Sequence, residues 1–244
     1  MIMLIGFVMM AVLLIIYMAL IEPNLLVKHH VWLSGEIQDE ELCIVQFSDT
    51  HFHRHCSIRK CERLMTEINA LDPDLIVFSG DLMDHYEKTP QLAHRLPPYL
   101  ARLTARLGKI AVYGNHDIGG GAKDVYPQMM EQSGFQLLCN QSVVYEAAKV
   151  AVLGVDDMLV GYEDRTLGKQ RLQPYQILVS HEPDLVDDMD TSHIDLMMSG
   201  HTHGGQIYLP WITQKILPKG GRNYRKGLYQ KGGTALFVSS GIGM

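Results

Sequence analysis

The stretch "LIVFSGD", residues 75–81, sets the pattern from which the fold can be derived. Its four apolar residues are typical of a buried strand, and the small and polar residues after them end that strand. The same pattern recurs in four other places, "LCIVQFSDTH" (42–51), "KIAVYGNHD" (109–117), "YQILVSHEPD" (175–184) and "IDLMMSGHTHGG" (194–205). Each of these five predicted strands therefore delivers polar side chains to its end.

Helical spacing of apolar residues separates the first three of these strands. The segment 57–74 predicts a helix with Ser57 as its N-cap, and the segment 91–108 predicts a helix interrupted at Pro97 and Pro98. Further strands follow without a helix between each pair, in "FQLLCN" (135–140), "SVVYEAA" (142–148), "KVAVLGVDD" (149–157) and "TALFVSSG" (234–241). This order predicts an α/β domain with mixed rather than purely parallel sheets.

The first 21 residues contain no charged side chain. About 20 apolar residues suffice to cross a membrane as a helix, so residues 1–22 are predicted to be a transmembrane anchor. A cleaved signal peptide and a buried core helix are the alternatives, but the segment has no basic start and no polar face. We expect a linker over residues 23–40 and one domain over residues 41–244. Lys28 follows the apolar segment and no basic residue precedes it, which favours a membrane protein with a cytoplasmic catalytic domain.

The net charge of −6 gives no reason to expect a nucleic-acid partner. A local reversal occurs in "KGGRNYRKGLYQK", residues 219–231, which holds five basic residues and no acidic one. A solvated loop is one interpretation of this segment. The other is a basic lip that contacts anionic lipid headgroups or a phosphorylated substrate.

Carboxylate, imidazole and amide groups stand at the ends of the five strands. Loops at strand ends gather at one edge of such a fold, so these groups are expected to share a site. They suit divalent ions such as Mn, Fe, Zn or Co, and the lack of cysteine there argues against a structural zinc site. Seven candidate ligands suit two ions rather than one, namely Asp49, His51, Asp81, Asn115, His181, His201 and His203.

Each of these residues alone also has an ordinary structural explanation, as a surface, capping or turn residue. Their coincidence at five strand ends favours the metal site. Two metal ions about 3.5–4 Å apart are the arrangement that serves hydrolysis of phosphate esters. The glycines of "SGHTHGGQ" (199–206) are expected to let backbone approach metal and substrate, with His201 and His203 projecting to one side of extended backbone.

Five motifs in this order resemble the calcineurin-like metallophosphoesterase superfamily. They are "DTHFH" (49–53), "GDLMD" (80–84), "GNHD" (114–117), the histidine of "VSHEPD" (179–184) and "GHTHGG" (200–205). The apolar N-terminus and the "GHTHGGQI" ending are similar to a membrane-anchored bacterial branch. The resemblance implies a four-layer α-β-β-α sandwich of two mixed β-sheets with a dinuclear metal centre.

The resemblance also implies roles for single residues. One metal would be held by Asp49, His51, Asp81 and His203, and the other by Asp81, Asn115, His181 and His201, with Asp81 bridging. His116 would lie near the phosphate and donate a proton or a hydrogen bond to the leaving oxygen. Asp117 or Asp84 would orient its imidazole.

The implied activity is hydrolysis of phosphate esters or pyrophosphates by a hydroxide that bridges the metals. The partner is a phosphorylated small molecule or a lipid, and some relatives act on UDP-2,3-diacylglucosamine. A nuclease or cyclic-nucleotide phosphodiesterase on the same centre is an alternative. A membrane-tethered, non-enzymatic metal-binding scaffold is a second alternative, which would be expected to lack some ligands.

Overall fold

The computed structural model describes residues 2–17, 25–35, 41–53, 58–205 and 217–243. Ser57, the predicted N-cap, lies outside them. The helices are α1 (Ile2–Ile16), α2 (Ile58–Asn69), α3 (Leu92–Arg95), α4 (Pro97–Leu100), the single turn α5 (Asn115–Asp117) and α6 (Tyr126–Gln132). Shorter turns are the π-helix Ile118–Ala122 and the 3-10 helices Glu146–Ala148, Pro183–Asp187 and His203–Gly205.

In the described part of the chain, ten strands form two sheets. The first sheet has the order β1-β2-β3-β4 and the second β5-β6-β7-β8-β10-β9. The strands are β1 (Ile44–Phe47), β2 (Leu75–Phe78), β3 (Gly108–Ala111), β4 (Gln136–Leu137), β5 (Gln141–Tyr145), β6 (Val150–Gly154), β7 (Tyr175–Val179), β8 (Leu196–Ser199), β9 (Gly227–Lys231) and β10 (Thr234–Val238).

Only the second sheet is mixed, which corrects the prediction of two mixed sheets. Every pair in the first sheet is parallel. The reason is that a helical connection joins each strand of that sheet to the next, and helical crossovers return the chain in the same direction. In the second sheet, the outer strands β5 and β9 run antiparallel to their neighbours.

Alternation of side chains along the strands builds three apolar layers. Between the two sheets lie buried residues such as Val77, Ile110, Val152 and Ile177. Helices α2, α3, α4 and α6 cover the outer face of the first sheet, against residues that include Phe78.

The outer face of the second sheet is covered differently from the four-layer prediction. Leu153, Leu178 and Met197 point outward from this sheet and pack against Leu185 and Val186 of a 3-10 helix. Within the described residues no α-helix takes the place of the fourth layer there. The two-sheet α/β architecture is confirmed, with short turns and loops over its second face.

The predicted anchor includes helix α1, which has 15 described residues. No helix in the described ranges is long and apolar enough to cross a membrane, so the transmembrane helix predicted over residues 1–22 is not found. Residues 18–24, at the end of that prediction, lie outside the described residues.

Part of the predicted linker packs against the domain instead of extending away from it. Leu26 contacts the cluster between the helices and the first sheet. Lys28 forms an ion pair of 2.7 Å with Glu67 of α2. A Cβ on Gly35 would lie 2.7 Å from the ring of Tyr175, so this residue contacts β7 closely.

The layer between the sheets is expected to dominate stability. Replacing Ile110, which is 0% exposed, by alanine leaves a cavity and should lower the free energy of unfolding by about 2–5 kcal/mol. Val144→Ala, at a side chain that is 37% exposed, is the control and should change it by less than about 0.5 kcal/mol. Chemical denaturation measures both values, and equal losses would contradict this packing.

Candidate metal centre

The polar residues predicted at five strand ends come together at one edge of the two sheets. They follow β1, β2 and β3 of the first sheet and β7 and β8 of the second. These strands are parallel to their neighbours within each sheet, so their carboxyl ends lie side by side. Backbone bonds join the loops, because Asp49 N donates to Gly80 O at 2.9 Å and Gly200 N donates to His181 O at 3.0 Å.

Two buried carboxylates, Asp49 and Asp81, occupy the middle of this edge, with 0% and 1% exposure. Several imidazoles lie next to them. His181 Nε2 lies 3.2 Å from Asp81 Oδ2 and 4.0 Å from Asp49 Oδ1. His51 Nε2 lies 3.5 Å from Asp81 Oδ2, and His203 Nε2 lies 3.6 Å from Asp49 Oδ1. Buried carboxylates are costly without compensating positive charge, so this arrangement demands cations.

The contacts of His181 show where one positive charge must lie. Its Nδ1 is 2.7 Å from the carbonyl oxygen of Ser79. A carbonyl only accepts, so Nδ1 carries a proton, and a neutral ring would then aim the Nε2 lone pair at Asp81. Burial lowers the pKa of His181, but the carboxylates of Asp81 and Asp49 raise it well above its usual value overall. A proton or a metal ion on Nε2 satisfies both groups.

Two imidazole nitrogens face each other in the same centre. His51 Nε2 lies 2.9 Å from His203 Nε2, and their rings stack at 4.8 Å. Burial lowers the pKa of His51 to about 4. At neutral pH this imidazole is therefore unprotonated, which is the form that binds a metal.

His201 is prepared for coordination by its own hydrogen bond. Its Nε2 donates to the carbonyl oxygen of Lys219 at 2.9 Å, which leaves the lone pair on Nδ1. Burial, together with the neighbouring His181, lowers the pKa of His201 to about 3, so it too is neutral at physiological pH.

These groups fit divalent ions. Ligand atoms of Asp49, His51 and His203 lie within 4.8 Å of one another, as do those of Asp49, Asp81 and His181. Among the described residues, neither Asn115 Oδ1 nor His181 Nε2 has a hydrogen-bond partner, although both atoms are buried. Buried polar atoms are rarely left unpaired, so orphaned atoms at these strand ends indicate room for a cation.

The backbone at the candidate ligands is strained. Five of them have positive φ, which non-glycine residues rarely adopt: Asp49 (51°), His51 (41°), Asp81 (62°), His201 (71°) and His203 (48°). Such strain persists where the surrounding structure fixes it, typically at functional sites. It also corrects one prediction, because His201 and His203 lie in a left-handed turn and not on extended backbone.

Three glycines precede candidate ligands and make room for other ligands. A Cβ on Gly80 would lie 2.7 Å from His181 Nδ1. A Cβ on Gly114 would collide with Asp81 Oδ1, and one on Gly200 would collide with Asp49 Oδ2. The space beside Gly200 is therefore filled by the Asp49 carboxylate. The sequence had suggested that this space is left clear for metal and substrate.

His116 lies at the exposed side of the centre, with 35% of its side chain exposed. Its ring packs edge-on against His51 at 4.7 Å, and its Nδ1 lies 3.1 Å from Asp84 O and 3.4 Å from Asp84 Oδ1. Its backbone N–H donates to Asp81 Oδ1 at 2.9 Å. Of the two carboxylates expected to orient His116, Asp84 is beside it.

Asp117, the other expected partner of His116, has different contacts. Its carboxylate accepts from the backbone N–H groups of Asp81, Leu82 and Gly114 at 2.8, 2.9 and 3.0 Å. Burial, with the neighbouring Asp81, raises the pKa of Asp117 to about 8. Asp117 thus ties the turn after β3 to the turn that carries Asp81.

Sequence reasoning missed Glu182 beside the centre and two buried acids, Asp156 and Asp157, in the loop after β6. Glu182 has 0% exposure, and one of its oxygens lies within 4.8 Å of ligand atoms of His181 and His201. Burial, and to a lesser degree Asp157, raises the pKa of Glu182 well above its usual value. Asp156 and Asp157 follow β6 and bind backbone N–H groups of the loop 157–162. The position of Asp156 and Asp157 after the apolar run "VAVLGV" (150–155) is the signal that could have revealed these two residues.

The close packing at Gly114 can be tested by adding one methyl group. Gly114 has φ −115°, which alanine tolerates, so Gly114→Ala acts by pushing a Cβ against the carboxylate and the backbone nitrogen of Asp81. We expect it to reduce metal content and to lower the free energy of unfolding by about 1–3 kcal/mol. Gly119→Ala is the control, since nothing lies within 4 Å of a Cβ there. Full metal content in Gly114→Ala, measured by mass spectrometry, would contradict the arrangement.

Solved structures support the fold. The NAD nucleotidase NadN of Haemophilus influenzae superimposes with a TM-score of 0.55 at 13% identity and covers 83% of this chain. The chain spans 45% of NadN, so this similarity concerns the fold alone.

Sequence comparisons identify the family. The metallophosphoesterase YkuE of Bacillus subtilis is 38% identical over 206 residues, 82% of this chain and 72% of YkuE. The UDP-2,3-diacylglucosamine pyrophosphatase LpxG of Chlamydia muridarum is 26% identical over 259 residues, 83% of this chain and 78% of LpxG. A family model for calcineurin-like phosphoesterases matches residues 43–205. The chain therefore belongs to the calcineurin-like phosphoesterase family and is a metal-dependent phosphoesterase.

Proposed function

We propose that this protein hydrolyses phosphodiester or pyrophosphate bonds with two divalent metal ions. The observation that carries the proposal is the burial of Asp49 and Asp81 beside several imidazoles. A non-enzymatic scaffold would be expected to lack some of the seven ligands, and this chain has all of them.

Two sets of residues would hold the ions, with Asp81 common to both. The first set is Asp49, His51, Asp81 and His203, and the second is Asp81, Asn115, His181 and His201. When bound, the ions would polarise the phosphoryl oxygens and lower the pKa of a water, as Mn, Fe, Zn and Co ions can. The chain's part is to keep His51 and His201 neutral by burial and to hold both carboxylates in place through backbone bonds, such as His201 N to Asp49 Oδ1 at 3.0 Å.

His116 is the residue proposed to serve the leaving group. Its Nδ1 faces acceptor atoms of Asp84, so that contact holds a proton on Nδ1 and orients the ring. Its Nε2 is then the atom that exchanges a proton with the leaving oxygen. Because the side chain is partly exposed, the imidazole can reach a substrate that enters from solvent.

The proposed substrate is a phosphorylated molecule with an apolar part, such as a lipid-linked pyrophosphate. Similarity to LpxG, which is named for a diacylglucosamine substrate, supports this choice. The exposed side chains of Val160 and Tyr162 also support it, because their loop packs on the site: Met158 N donates to Glu182 Oε2 at 3.2 Å. Association with a membrane and a cytoplasmic location stay predictions.

Metal analysis combined with hydrolysis assays tests the proposal. Wild-type protein should bind two divalent ions per chain and hydrolyse p-nitrophenyl phosphate or its bis-ester, and chelator should abolish this activity. Asp81→Asn should lower activity by at least about 100-fold, because it weakens a ligand shared by both ions.

His203→Ala should have a similar effect on metal content and rate. Matched controls are Asp124→Asn and His94→Ala, at exposed residues away from the centre, which should keep both. A wild-type protein with two ions and no hydrolysis of either ester would favour the scaffold. Activity that survives in Asp81→Asn would exclude the proposed centre.

A further inference from the structure

The basic segment 219–231 is built directly onto the candidate metal centre. The carbonyl oxygen of Lys219 accepts from His201 Nε2 at 2.9 Å. Thr202 Oγ1 donates to Arg225 O, and Arg225 Nη1 donates to Gly204 O at 2.7 Å. The segment therefore forms one wall of the site, and its position is coupled to the two histidines of "GHTH".

Acidic residues of the neighbouring 3-10 helix hold the segment in shape. Asp184 accepts from the backbone N–H groups of Arg222 and Asn223 at 2.8 and 3.0 Å. Asp187 accepts from Asn223 Nδ2 and from Tyr224 Oη, each at 2.9 Å. None of these four bonds uses the side chain of Lys219, Arg222 or Lys226, so these three side chains are not needed to keep the segment in place.

The five basic side chains of the segment divide into two groups. Lys231 pairs with Asp187, and Arg225 binds the Gly204 carbonyl, so these two stabilise the fold. Lys219, Arg222 and Lys226 are exposed, and in the described part of the chain no ion pair involves their side chains. The sequence alone does not distinguish the fold-stabilising basic residues from the exposed ones, because both groups consist of lysine and arginine.

The positions of Lys219, Arg222 and Lys226 in the segment lie close to the candidate ligands. A Cβ on Gly204, the neighbour of His203, would lie 3.2 Å from Lys226 Cδ. A Cβ on Gly221, the neighbour of Arg222, would lie 3.3 Å from His201 Cδ2. Lys219 is placed by the bond of its own carbonyl to His201. These contacts place the three cationic positions of the segment beside His201 and Gly204.

We propose that Lys219, Arg222 and Lys226 form a cationic subsite that binds a second phosphate group of the substrate, next to the bond that is cleaved. The inference rests on the proposed function and narrows its substrate class to diphosphate diesters or phospholipid-linked diphosphates. Exposed cations on a preorganised segment bind phosphate oxygens at little ordering cost. The subsite lies beside the candidate ligands rather than on a separate face, which favours substrate phosphate over a general membrane contact.

The test compares a triple variant, Lys219→Gln with Arg222→Gln and Lys226→Gln, with the single variant Lys231→Gln. The control removes one positive charge from the same segment, at the side chain that pairs with Asp187. Two substrates are used, bis(p-nitrophenyl) phosphate with one phosphate and a UDP-linked sugar with two. The triple variant should lower kcat/KM for the diphosphate at least 10-fold more than for the monophosphate. Lys231→Gln should show no such difference.

Binding of UDP by calorimetry separates this inference from the proposed function. Weaker UDP binding by the triple variant than by wild type supports the subsite even if neither substrate is hydrolysed. Equal UDP affinities, or equal changes of kcat/KM for both substrates, overturn it. Sedimentation with anionic and neutral phospholipid vesicles is the last measurement. If the substitutions change only vesicle binding, the segment contacts membrane surface and the subsite does not exist.

Discussion

Two carboxylates buried side by side are the constraint on which the rest of the structure depends. Asp49 and Asp81 are out of contact with water, and imidazole groups surround them. This geometry requires positive charge between the carboxylates and the imidazoles, and the neighbouring residues hold these groups in position. Glycines make room for the carboxylates, strained backbone aims the histidines, and Asp117 ties together the turns that hold Asp81 and Gly114.

The fold explains why such a centre can be assembled from distant parts of the chain. Parallel strands deliver their carboxyl ends to one edge, and two sheets packed face to face bring five such ends together. Gln46 shows the link between the sheets, because its Nε2 donates to Ser79 Oγ at 2.8 Å and to Ser199 O at 2.9 Å. A rigid apolar layer beneath the edge keeps the ligands from relaxing away from each other.

Much of this could be predicted from residue pattern, because apolar runs that end in Asp, Asn or His locate both strands and site. Helix α2 and its buried face, Cys61, Leu64, Met65 and Ile68, follow from spacing alone. What the pattern could not supply depends on tertiary contacts. Glu182 is covered by the loop at Gly220, a contact that its sequence neighbours do not indicate. Asp117 is adjacent to His116 in sequence, but its carboxylate binds backbone N–H groups. Strand β9 was missed although "KGGT" (231–234) has the Gly-Gly spacing of a tight hairpin.

The central claim is that the carboxylates of Asp49 and Asp81 and the imidazoles around them hold two ions that share Asp81. Anomalous diffraction from crystals grown with Mn²⁺ tests it most directly. The account predicts two anomalous peaks about 3.5–4 Å apart, one beside His51 and His203 and the other beside His181 and His201, with the Asp81 carboxylate between them. A single peak, or peaks elsewhere on the protein, would contradict it.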